Sequence, residues 1–175
     1  MSSLSPNLVT EREYLDIERK AEVRSERHNL IAGNLHGHIW AQSRGRPYRV
    51  YISNMRVKVV RTGLCTYPDV VAVWGKPQFE DAHVDTLLNP TVIVEVLSDS
   101  TEAYDRGDKF AHYRRLETLC EYVLVAQNKI RVEHYLRRGE EWALTEISDP
   151  GGTLHLPSID CRVAVGVTYE KVDFT

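Results

Sequence analysis

The chain is poor in the features that most often fix a function. Its three cysteines, Cys65, Cys120 and Cys161, are odd in number, widely spaced and never in a C-x-x-C pair. That argues against a disulfide framework and points to a reduced, cytoplasmic protein. No window approaches the ~20 apolar residues of a membrane span. Met1–Thr10 lacks the apolar core of a signal peptide, so no membrane association is expected. There is no Gly-rich phosphate loop and no G-x-S-x-G elbow, and no organic cofactor is expected. The seven histidines form no H-x-x-x-H pair around an acidic base, which disfavours a zinc centre built from them. Repeats and Gly/Ser/Pro-rich linkers are absent as well.

What is present is the composition of an ordinary globular chain. It has 175 residues, 42% hydrophobic and 27% charged. That length suits one domain, able to bury roughly 70% of its unfolded surface without a metal or disulfide staple. Residues 1–9 read as a loose tail and 10–175 as a single domain. The net charge of −3 excludes a polycation, but the charge is unevenly placed. Between Arg27 and Pro68 there is no Asp or Glu, while Arg44, Arg46, Arg49, Arg56, Lys58 and Arg61 are all basic. Such a stretch in an acidic protein can mark a polyanion-binding face, or a solvated surface whose arginines pair with distant acids.

Thr10-Glu11-Arg12-Glu13 has the form of a capping box, so a helix is expected from there to about Arg24. Leu30, Ile31, Leu35 and Ile39 continue a helical stripe, with Gly33 and Gly37 placed to allow close packing. Gly45-Arg46-Pro47 breaks it. Met55, Val57 and Val59 then alternate with Arg56 and Lys58, which predicts a half-buried strand with a basic outer face. Tyr67–Trp74 predicts a second strand, and Thr91–Leu97 a third, apolar on both faces and therefore central. Asp99-Ser100-Thr101-Glu102 caps a helix reaching about Leu116, with Ala103, Gly107, Phe110 and Ala111 toward the core. Strands follow at Glu121–Ala126, Lys129–Arg137, Glu141–Ile147 and within Leu154–Val167. The order gives an α/β (α+β) domain with one mixed central sheet flanked by helices.

Glu95 demands an explanation, because a carboxylate in a central apolar strand is costly unless paired, protonated or bound to metal. A buried salt bridge to an arginine is one solution. Asp69, in Tyr67-Pro68-Asp69, is by itself an ordinary turn entry. If strands 67–74 and 91–97 pair as antiparallel neighbours, however, Asp69 and Glu95 meet at one end of the hairpin. Two carboxylates there can hold a divalent cation through oxygen ligands.

Pro68-Asp69 followed by Glu95 in a hydrophobic strand resembles the PD-(D/E)XK nuclease signature. The run Asn89–Thr101, with Asp105, Lys109 and Tyr113 after it and Glu121-Tyr122-Val123-Leu124-Val125 beyond, is similar to the Uma-family restriction endonucleases. The likeness covers about Glu11 to Phe174. It implies a restriction-endonuclease-like fold and metal-dependent hydrolysis of DNA phosphodiesters, with Mg²⁺ or Mn²⁺ on Asp69 and Glu95. In the wider superfamily a lysine stands two residues after the glutamate; here that position is Leu97. The family pattern points instead to Lys109 as the catalytic lysine. Asp105 and Lys109, four apart on a helix, also suit a plain surface ion pair.

The chain departs from the family in one more respect. A short hairpin usual between the first two helices is missing, since Ala21–Glu26 runs straight into Arg27-His28-Asn29. Glu22 is the candidate for a further acidic ligand, against the alternative of a solvated helix charge. The two N-terminal helices are expected as one long helix or two abutting ones, in a domain that pairs as a homodimer. The basic stretch would contact DNA phosphates. The alternative function is a non-catalytic nucleic-acid- or partner-binding member of the same fold.

Overall fold

A computed structural model of the chain describes residues 11–175, with side chains from residue 26 onward. The expected tail 1–9, the cap at Thr10 and the side chain of Glu22 therefore lie outside the described residues. The elements in chain order are α1 (Glu11–Ser43), β1 (Tyr48–Ile52), β2 (Arg56–Val59), β3 (Leu64–Thr66), β4 (Val70–Trp74), β5 (Thr86–Leu87) and β6 (Val92–Leu97). They continue with α2 (Glu102–Arg106), α3 (Asp108–Tyr113), β7 (Glu121–Ala126), β8 (Val132–Arg138), β9 (Glu141–Ile147), β10 (Thr153–Leu156), β11 (Cys161–Ala164) and α4 (Val165–Thr168).

The N-terminal segment is one continuous helix of 33 residues, the first of the two forms expected. No proline interrupts it, and it ends where Gly45 takes φ +73 ahead of Pro47. Ile31, Leu35 and Ile39 are fully buried at helical spacing, as the stripe requires. Gly33 and Gly37 are exposed, with nothing near the position a Cβ would take, so they serve no close approach.

The main sheet has six strands in the order β1-β4-β6-β7-β8-β9. Only β6 and β7 run parallel, joined by a crossover through α2 and α3; the other neighbours are antiparallel. The sheet is mixed, as expected, with β6 and β7 at its centre. Every residue of both central strands is buried. That matches the near-continuous apolar reading of strands covered on both faces.

The two faces carry separate cores. On one, α1 packs against Val92, Val94, Val96, Val123 and Val125, together with Leu154 and Val163 of the β10–β11 ribbon. On the other, Ile93, Leu97, Tyr122 and Leu124 meet Phe110 and Tyr113 of α3 and the small β3-β2-β5 sheet. Glu95 alternates with Val94 and Val96, so it belongs to this second face.

Three expectations are corrected here. Tyr48–Ile52 is a strand of the main sheet that the Gly-Pro break concealed, whereas Arg56–Val59 lies in the small side sheet. The helix after Asp99 is split at Gly107, whose φ −100 and ψ −97 are not helical, into α2 and α3. Ala103, Gly107 and Ala111 consequently face solvent; Phe110 faces inward as expected, joined by Asp105, Lys109 and Tyr113.

Candidate active site

The site lies where β4 begins and β6 ends, beside α3. In the β4–β6 ladder Val70 pairs with Val94, and one further register step places Asp69 opposite Glu95. Asp69 precedes the strand because Pro68 cannot donate to the ladder, which frees the aspartate to bond across the strand end. Its Oδ2 accepts a 2.7 Å hydrogen bond from the Val96 N–H. Its Oδ1 lies 3.0 Å from His28 Nε2 on α1. The carboxylate is thus held from two sides at the end of the sheet.

Glu95 is 4% exposed. Its Oε1 receives the Lys109 ammonium at 2.7 Å and the Tyr113 hydroxyl at 2.9 Å. Lys109 also reaches Asp105 Oδ1 at 3.1 Å, one helical turn earlier across the Gly107 break. Tyr122 donates to the Asp105 backbone carbonyl at 2.9 Å, which ties α2 to β7. The split helix is what makes this chain of contacts possible. A straight helix capped at Asp99 would carry Lys109 about 15 Å along its axis, away from the sheet. The break turns α3 back over β6 and β7.

Burial pushes the Glu95 carboxyl up to about 7; Lys109 opposes the shift, while Asp69 and Asp105 add to it. Burial also works to lower the Lys109 ammonium, but Glu95 and Asp105 outweigh it and its pKa rises. The Tyr113 hydroxyl is held well above its usual value by burial and by the Glu95 charge, so it stays a donor. Glu95 is therefore a carboxylate kept near its titration point by a desolvated pocket, with one cation already beside it.

The donor set fits a hard divalent cation. Asp69 and Glu95 offer carboxylate oxygens on adjacent strands, and Glu95 Oε2 has no donor among the described residues. Among the described residues no group of three or more His, Cys, Asp and Glu is gathered for a metal. The candidate ligands are the two carboxylates, with His28 behind Asp69.

The basic stretch is spread over several elements. Arg44 and Arg46 follow α1, Arg49 lies on β1, Arg56 and Lys58 lie on β2, and Arg61 follows β2. Arg56 pairs with Asp85 at 3.1 Å, Lys58 pairs with Glu80, and Arg46 pairs with Asp160 at 3.6 Å. Arg44, Arg49 and Arg61 have no acidic partner among the described residues. The outer face of β2 is therefore basic in sequence and neutralised in space.

Sequence reasoning passed over His28, which it treated only as one of seven histidines. Nothing in its local pattern marks it, because its partner Asp69 is far away in the chain. Tyr113 stands in the run that carries the family likeness, but its bond to Glu95 is set by the crossover and not by local sequence.

A mixed six-stranded sheet with its central acid paired to a lysine on the crossover helix defines a restriction-endonuclease-like protein. The chain belongs to the Uma2 family, described as "Putative restriction endonuclease", whose pattern matches residues 16–166. It is 34% identical over 155 residues to the uncharacterized protein sll1609 of Synechocystis sp. (strain ATCC 27184 / PCC 6803 / Kazusa), covering 80% of this chain and 88% of that one. It is 30% identical over 151 residues to the uncharacterized protein slr1290 of the same organism, covering 86% and 78%. The fold resembles the crystal structure of a putative nuclease belonging to DUF820 from Anabaena variabilis ATCC 29413. The TM-score is 0.68 at 14% identity, over 82% of this chain and 80% of that one. No described helix is long and apolar enough to cross a membrane.

Proposed function

We propose that this chain is a metal-dependent endonuclease that hydrolyses phosphodiester bonds in DNA, with Asp69 and Glu95 as the metal ligands and Lys109 as the catalytic cation. The observation that carries the reading is the buried contact of Lys109 with Glu95, on a strand adjacent to Asp69. A bound Mg²⁺ or Mn²⁺ would supply charge stabilisation at the scissile phosphate and at the leaving oxygen. The chain's own groups do the positioning. The Val96 N–H and His28 fix Asp69, and Tyr113 fixes Glu95. Lys109 stands where an ammonium can stabilise negative charge developing on the phosphate. Glu22 is a candidate further ligand from α1, on the strength of its sequence position alone. One such centre cuts one strand, so cleavage of a duplex favours a homodimer with two centres. The cytoplasm, where DNA and reduced thiols coexist, is the compartment consistent with three free cysteines.

The test is nicking of supercoiled plasmid by wild type and by Asp69→Asn, each with Mg²⁺ or Mn²⁺ and with EDTA. Metal-dependent nicking by wild type alone supports the reading. Equal nicking by both proteins would place the activity elsewhere. DNA binding without nicking by either protein would favour the non-catalytic alternative.

A further inference from the structure

A cavity of about 520 Å³ lies outside the carboxylate site. It is lined by Arg61, Arg114, Arg115 and Arg137 against Glu117 and Glu140, leaving an excess of two positive charges in a protein of net charge −3. Three separate parts of the fold deliver these arginines: the turn after β2, the end of α3, and β8. Nothing in the sequence groups them.

The four arginines have two different roles. Arg137 is built into the floor. Its guanidinium donates to the Arg114 carbonyl at 2.7 Å, the Leu116 carbonyl at 3.0 Å and the Glu117 carbonyl at 3.1 Å. It also lies 4.7 Å from the centre of the Trp142 ring. These bonds rigidify the loop between α3 and β7 and leave the charge of Arg137 uncompensated. Arg61, Arg114 and Arg115 are exposed, and none has an acidic partner within 4 Å among the described residues. Arg114 rests 5.2 Å above the Phe110 ring, which orients it without neutralising it. Unpaired guanidinium groups converging on a concave surface match phosphate oxygens, which they bind bidentately.

We infer that this arginine cleft docks the phosphate backbone of the DNA substrate on the same face of the sheet as Glu95, several nucleotides from the scissile position. The inference rests on the nuclease reading for the identity of the polyanion. Its geometry follows from the sheet register, in which Glu95 is level with Leu124 and Leu124 with Glu133, while Arg137 stands four residues further along β8. Four residues of strand are roughly 13 Å, or about four nucleotides of one strand of a duplex. The crossover segment that carries Lys109 against Glu95 leads into Arg114 and Arg115, and so runs from the acid to the clamp. The paired Arg56 and Lys58 would contribute little, because their charges are already spent on Asp85 and Glu80.

The experiment measures binding of a fluorescein-labelled duplex by anisotropy in EDTA, where no cleavage occurs, across 50–200 mM KCl. The proteins are wild type, Arg61→Gln/Arg115→Gln, Arg114→Gln and Arg56→Gln/Lys58→Gln, each checked for an unchanged thermal melt. Loss of two phosphate contacts lowers the salt slope by about 1.8, so the cleft double variant weakens about 12-fold less than wild type across that range. Arg114→Gln lowers the slope by about 0.9, and Arg56→Gln/Lys58→Gln leaves it unchanged. A wild-type slope in both cleft variants, or no binding by wild type at 50 mM KCl, overturns the inference. Displacement of the duplex by inorganic phosphate at matched ionic strength would make the cleft a single-phosphate pocket and also overturns it. Plasmid nicking reports separately: absent nicking with reduced slopes removes the catalytic reading and leaves the cleft standing.

Discussion

Glu95→Gln tests the electrostatics of the site without any assumption about catalysis. Burial holds the Glu95 carboxyl at about 7 in the folded protein, against 4.5 for the free group. The folded state therefore binds this proton more tightly than the unfolded chain does. The sign follows directly: the contribution of this group to stability is greatest below pH 4.5, falls as pH rises through 7, and is level above that. The whole fall is about 3 kcal/mol, and about 2.5 kcal/mol of it lies between pH 5 and pH 8. Lys109, whose pKa is raised, contributes equally throughout this window, because its contribution is lost only as pH climbs past 10.5. Urea unfolding of metal-free protein in EDTA at pH 5 and pH 8 gives the fall for wild type, and the same pair of curves gives it for Glu95→Gln. The variant carries no charge at this position at either pH, so its own pair of curves lacks the Glu95 titration, and the difference between the two falls isolates it. The fall should be about 2.5 kcal/mol larger in wild type. A difference below about 0.5 kcal/mol would refute the argument that a desolvated Glu95 titrates near neutrality.

The remaining predictions concern groups around the same sheet. Tyr113→Phe removes the 2.9 Å bond to Glu95 and should cost about 1.5–3 kcal/mol at pH 8 but less at pH 5, measured by the same urea titrations. Lys109→Ala should slow plasmid nicking while Mn²⁺ still binds by calorimetry; loss of Mn²⁺ binding would recast the lysine as a scaffold of the site. Glu121 is fully buried against His134 and the Ser158 N–H, so Glu121→Ala should cost about 3–5 kcal/mol, and a loss under 1 kcal/mol would show the cluster to be marginal. Light scattering should return about twice the chain mass of 20.1 kDa, and a strict monomer over a wide concentration range would remove the homodimer.

Much of this site could be read from the chain because it violates local rules. A glutamate inside Thr91–Leu97 is a residue that packing alone does not explain, and the antiparallel pairing of its strand brings Asp69, by itself an ordinary turn entry, opposite it. The central strands were equally legible, since they are apolar on both faces. What escaped were features set by partners distant in sequence. Pairing of Arg56 and Lys58 with distant acids was one of two readings open, but the particular acids were hidden, because the loop supplying Asp85 and Glu80 lies beyond two further strands. Tyr48–Ile52 was lost because Gly45 and Pro47 signal a break, although the chain beyond the break pairs at once with β4. The helix split at Gly107 had the weakest signal of all. A lone glycine in a helical pattern costs only about 1 kcal/mol, and only docking against the sheet shows which way the chain turns.

That split decides which element carries the cation of the site. Leu97, two positions after Glu95, is buried in the core, so the strand itself carries none. A lysine at that position would be tied to the glutamate by the backbone of a single strand. Here the ammonium reaches Glu95 from α3, on the crossover that joins β6 to β7. Acid and cation therefore belong to different elements, and tertiary packing alone sets the distance between them. A displacement of α3 over the sheet would part them without altering either strand.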